Sequence, residues 1–236
     1  MPENSSLIVI RVGGSLLDLP ALHTLLDQLR NALRPAPLLL ITGGGHAADV
    51  IRELDARFAL PTAKAHWDAI AAMSFNAEVL VRTGHGLQLV ASRDTALRVQ
   101  KSGHIPVLDT LTHLRTPGIA TAAQLPESWD VTSDSIAAAI LRDWQGAKLI
   151  LAKSCAPPEA DIRALAAANA VDRYFPMASR GLEVEWWWPG AAERVSIRCF
   201  QPLTTQTGLS PATARRKIPE STQKISDHHT STPRTG

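Results

Sequence analysis

Between residues 7 and 203, short aliphatic runs alternate with longer stretches whose apolar positions recur every three or four residues. The runs are "LIVIRV" from Leu7, "LLLIT" (38–42), "HIPVLD" (104–109) and "KLILAK" (148–153). Apolar runs of this length, bounded by turn residues, read as buried strands. Leu22, Leu25, Leu26, Leu29 and Leu33 share one face of a helix started at Pro20 and stopped by Pro35 and Pro37. Further helices are expected over 47–57, 63–82 and 93–100, and one more with Ser133 as N-cap and Ile136, Ile140 and Leu141 toward the core. "LEVEWWW", Pro189-Gly190 and "ERVSIRCF" read as a closing hairpin. Strands separated by helices pair in parallel through crossovers. The pattern therefore predicts an α/β fold: a three-layer αβα sandwich with a mainly parallel central sheet and a C-terminal hairpin.

The 236 residues are 45% hydrophobic and 19% charged, the balance of a globular domain with a real core. Residues 204–236 break with this. They are rich in Thr, Ser, Pro and basic residues and hold no aromatic side chain, so they are expected to form a disordered polar, basic tail behind a single domain at 1–203. The formal charge of +2 is too small to point to nucleic acid or an anionic membrane. No apolar run approaches the ~20 residues of a membrane span, and the N-terminus lacks a signal-peptide pattern. Cys155 and Cys199 form no zinc spacing and no disulfide framework, so no metal ligands are assigned, and reduced thiols in the cytoplasm are the expectation.

The chemistry concentrates in two turns. Gly13-Gly14-Ser15 and Gly43-Gly44-Gly45 each follow a buried strand and precede a helix. Such turns gather at the carboxyl edge of a parallel sheet. Each offers backbone N–H groups and the positive end of a helix dipole, a seat for phosphate or carboxylate. Two on consecutive strands argue for an anion site more than one does. Gly43-x-Gly45-x-x-Ala48 also fits a dinucleotide fingerprint, but the acidic residue which that motif wants at the end of the next strand is missing: the positions about 20 residues on fall in "LPTAKAHWD", a helix start.

"RVGGSLL", "ITGGGHAADVIREL", "WDVTSDSIAA" and "GAKLILAKS", in this order, resemble the amino acid kinase superfamily, which includes carbamate, acetylglutamate and uridylate kinases. The resemblance runs to about residue 175. It is most like the small branch that phosphorylates (aminomethyl)furanylmethyl phosphate in methanofuran synthesis. It implies a cytoplasmic phosphotransferase that uses ATP and Mg²⁺ on a small-molecule acceptor. It also implies roles. Arg11 stands where the family carries the lysine that touches the phosphoryl group in flight. Gly13, Gly14 and Ser15 match the loop on the nucleotide phosphates, and Gly43, Gly44 and Gly45 the loop on the acceptor. Asp134 matches the aspartate that organises the cations. Lys153 begins the nucleotide segment, here "KSCAPP", which lacks the family's acid and glycine.

Other residues keep two readings. Asp134 at a helix start also suits the dipole. Asp130 and Ser133 orient substrate or cap that helix. His46 meets an anionic acceptor or faces solvent. His66, Trp67 and Asn76 read as packing and surface residues of a long helix. Trp186, Trp187 and Trp188 alternate along a strand, so one is expected to face outward and mark a subunit contact, hence a homo-oligomer.

Overall fold

Strand β1 (Ile8–Val12) lies at the centre of a seven-stranded sheet and is fully flanked. The computed structural model describes residues 7–120, 125–191 and 193–199. The expectation of a tail at 204–236 lies outside them. The strands are β2 (Leu38–Thr42), β3 (Leu87–Val90), β4 (Ile105–Leu108), β5 (Lys148–Ala152), β6 (Glu183–Trp187) and β7 (Val195–Ile197), in the order β3-β4-β2-β1-β5-β6-β7. Every pairing is parallel except the β6–β7 hairpin. The α/β sandwich with its C-terminal hairpin is therefore present. The chain fills one side of β1 first and then the other, so the sheet's switch point lies at β1, where the crevice of an open α/β sheet forms.

The helices are α1 (Gly14–Leu17), α2 (Leu22–Leu33), α3 (Gly45–Phe58), α4 (Thr62–Thr83), α5 (Arg93–Lys101), α6 (Thr110–Arg115), α7 (Ser133–Asp143), α8 (Ile162–Ala167) and α9 (Phe175–Ala178). Alternation along the strands splits the core in two. Ile10, Val12, Leu40 and Ile150 pack with the α2 leucines on one face. Val9, Leu39, Leu149 and Leu151 pack against α7 and α9 on the other. Arg11 shares the α7 face by that alternation.

Beyond the short helices α6, α8 and α9, which the sequence reading did not mark, four details differ. β3 is an edge strand interrupted by Gln88, too short and too polar to stand out as an apolar run. The turn after β1 already coils into α1, and α2 starts at Leu22, not at Pro20. Thr132, not Ser133, is the N-cap position of α7. None of these three tryptophans faces outward: Trp186 and Trp187 are buried in opposite cores and Trp188 is half-buried against the first. The subunit contact inferred from an exposed tryptophan loses its basis.

Candidate active site

Val12 pairs in register with Thr42 on one side and Ala152 on the other. The next residues, Gly13, Gly43 and Lys153, therefore leave three adjacent strands side by side at their carboxyl ends. Gly13 N–H donates to Ala152 O (2.7 Å), and Gly43 N–H to Val12 O (2.8 Å), so the ladder continues one step into both turns. The two glycine loops are in contact: a Cβ on Gly14 would lie 2.5 Å from Gly45 Cα. Gly45 itself has φ +51°, a left-handed backbone that side chains tolerate poorly. Asn76, read as a surface residue of the long helix, instead holds the second loop, its Nδ2 donating to Gly43 O at 2.8 Å.

Arg11 lies beneath both loops. Its Nη1 sits 3.2 Å from where a Gly13 Cβ would be, and its Nη2 3.2 Å from a Gly43 Cβ. Nε and Nη2 donate to Ser133 Oγ at 3.0 and 2.6 Å. Nε is also 2.9 Å from Asp134 Oδ1, which gains a neighbouring charge but no hydrogen bond. Asp134 Oδ2 accepts from Lys153 Nζ at 3.0 Å, and Nζ donates again to Ala170 O at 2.9 Å beneath the Trp186 ring. The three residues assigned together from the sequence thus form one buried cation–carboxylate–cation array. The first turn of α7 carries Ser133 and Asp134 to it, with the helix dipole favouring the carboxylate.

Burial alone would raise the Asp134 pKa, but Arg11 and Lys153 outweigh it and hold the carboxyl below its ordinary range. Burial pushes the Lys153 ammonium down, and Arg11 repels it further, to about 8 despite Asp134. Asp172, which the sequence did not single out, is pushed up to about 6 by burial and by the Asp134 charge.

A cavity of about 220 Å³ opens on the side of the second loop. Gly14, Ser15, Gly44, Gly45, Arg11 and Ser133 line one end, and Ile70, Met73, Val131 and Ile136 give it an apolar wall. Asp49 and Arg52 also line it, ion-paired at 2.7 Å, with the Arg52 guanidinium stacked 4.8 Å over Trp129. His66 also lines the cavity; it is buried, its ring nitrogen Nδ1 meets Ser128 O at 3.1 Å, and burial lowers its pKa. Ser15 Oγ donates to Ser154 Oγ at 2.9 Å, tying the first loop to the segment after β5. His46 and Asp130 are exposed and stand apart from the cavity lining, Asp130 3.7 Å from Arg173.

No family model matches the sequence, and no curated protein matches it. Solved structures do match in shape. The uridylate kinase of Archaeoglobus fulgidus superposes with a TM-score of 0.52 at 14% identity, covering 77% of this chain and 90% of that one. UMP kinases from Bacillus anthracis (12% identity, 78% and 89% coverage) and Ureaplasma parvum (12%, 80% and 92%) also give 0.52. The chain has the uridylate kinase fold. At that level the expected three-layer α/β architecture with a mainly parallel sheet holds; the finer branch does not follow from shape. No helix among the described residues is long and apolar enough to cross a membrane.

Proposed function

We propose that this chain is an ATP-dependent small-molecule kinase that passes the γ-phosphoryl group to a phosphate or carboxylate acceptor. The observation that carries it is the Arg11 guanidinium, held by Ser133 and Asp134 under two touching glycine loops. Phosphoryl transfer asks for alignment and for compensation of charge on the equatorial oxygens, little else. Loop N–H groups at helix starts lack partners inside the helix, and Arg11 supplies a fixed cation between them. Ser133 and Asp134 hold that cation in one orientation. The apolar wall of the cavity limits water around the acceptor.

Gly14 and Gly45 pack backbone against backbone, which brings the loop N–H groups that would hold phosphate oxygens close together. Among the described residues no cluster of three His, Cys, Asp or Glu side chains is placed for a metal, so Mg²⁺ would be carried on phosphate oxygens. When bound it would neutralise phosphate charge. The finer reading is an acceptor of the (aminomethyl)furanylmethyl phosphate type, in methanofuran-type one-carbon cofactor synthesis in the cytoplasm. The apolar wall in the same cavity as the Arg11 cation supports it.

A second reading is a catalytically weak relative that binds nucleotide or oxyanion for storage or regulation. It is favoured by Lys153, which is bound to Asp134 and Ala170 and does not line the cavity. ADP release across phosphorylated and carboxylated acceptors separates the two. Arg11→Lys is the sharper probe. One ammonium cannot replace three contacts made by a planar fork, so turnover is expected to fall on the order of 10-fold. A strong rise instead would favour the second reading.

A further inference from the structure

Asp172 lies in the turn between α8 and α9, and its carboxylate caps α7 from outside. Oδ2 accepts from Thr132 N–H (3.0 Å), Thr132 Oγ1 (3.0 Å) and Ser135 N–H (2.9 Å), and Oδ1 accepts from Ser135 Oγ. Thr132, at the N-cap position, makes no side-chain capping bond of its own. Between the two residues that Asp172 grips lie Ser133 and Asp134, the pair that holds Arg11 and Lys153. We infer that Asp172 is the positioning residue of this site: it fixes the first turn of α7, and with it the placing of Ser133 and Asp134 on the two cations.

The same carboxylate acts on Lys153 through space. Lys153 is faced by Arg11 from β1, Asp134 from α7, Asp172 from the turn and the Trp186 ring from β6. Of these, Asp134 and Asp172 favour the ammonium, while Arg11 and burial oppose it. Asp172 is faced by Asp134, Ser135, Thr132 and Lys153, and its neighbour Arg173 points to Asp130 at the surface. Neutralising Asp172 removes one of the two anions that keep Lys153 charged, so the Lys153 midpoint must move down.

The inference rests on the kinase reading only for its effect on turnover, and two variants test it on the full chain. Asp172→Asn keeps an oxygen that accepts from Thr132 and Ser135 but drops the charge. Asp172→Ala drops both. Lysine ¹³Cε shifts, assigned through Lys153→Arg, follow Lys153 directly. In Asp172→Asn the fold is expected to survive and the Lys153 midpoint to fall by about one pH unit, with the alkaline limb of turnover moving the same way. Asp172→Ala is expected to melt lower and, if it folds, to lose turnover about 10-fold or more, rescued by Asn at low pH. A Lys153 midpoint unchanged in folded Asp172→Asn, or Asp172→Ala with wild-type melting and turnover, overturns the inference. A shifted midpoint in a protein that releases no ADP with any acceptor supports the positioning role and overturns the kinase reading.

Discussion

Asp134→Asn is expected to cost the fold about 3 kcal/mol and to lower turnover by at least about 10²-fold. Asp134 is buried between two cations, 2.9 Å from Arg11 and 3.0 Å from Lys153. Taking one partner out of a buried charge array leaves the others without compensation, typically at about 3–5 kcal/mol. Here the lower end applies, because Lys153 can shed its proton. Its pKa, already about 8, falls further once Asp134 is neutral. Arg11 has no such exit. The proton release gives the effect a direction in pH. With Asn at 134, Lys153 is neutral in the fold but charged when unfolded, so the variant gains stability as pH rises. In wild type Lys153 is charged in both states below pH 8 and contributes no such gain. Thermal melts should therefore show a gap of roughly 6–12 °C at pH 6 that narrows by pH 8. Equal Tm values at both pH values would mean that Asp134 is not the anion that balances the pair.

Gly14→Ala should damage activity far more than its one added methyl suggests. The new Cβ would lie 2.5 Å from Gly45 Cα and 2.6 Å from Gly45 N, both backbone atoms that cannot rotate away. The loops must separate by about 1 Å, and a displacement of that size at a transfer site costs on the order of 10²-fold in rate. The strain should cost about 1–3 kcal/mol of stability. Gly190→Ala is the control. Gly190 has φ +84° but nothing within 4 Å of its missing Cβ, so the added methyl wedges no backbone apart. It should lose about 1 kcal/mol to backbone strain and keep its rate. Parallel stability and rate measurements distinguish a general weakening of the fold from a wedge driven between the loops.

Much of the fold was legible because strand runs and helical periods are local signals. β2 has the bounds read for it, and the long helix α4 extends one residue further at each end. The edge strand β3 escaped because half its side chains face outward and Gln88 interrupts the run. At the site, the two glycine turns were legible since parallel register carries the ends of neighbouring strands to one place, while Arg11, Asp134 and Lys153 were marked only by the family resemblance. Asp172 and Asn76 were not. Each acts on backbone more than thirty residues away in sequence, on Thr132 and Gly43 respectively, and no periodicity or spacing encodes that. The tryptophans were misjudged for the same reason, since what covers a strand face is decided by distant elements.

A thermal-shift titration reaches the heart of the matter: that the loops at 13–15 and 43–45, with Arg11 below them, receive the phosphates of a nucleotide. ATP, ADP and inorganic phosphate would be titrated with and without Mg²⁺ into wild type and Gly14→Ala. A ligand bound only by the folded state at about a hundred times its Kd adds about 2.7 kcal/mol, a Tm rise of roughly 5–11 °C for a domain of this size. The expected result is such a rise for wild type with ATP, much reduced in Gly14→Ala. A Tm that no nucleotide or phosphate moves at millimolar concentration, or an equal rise in both proteins, would contradict it.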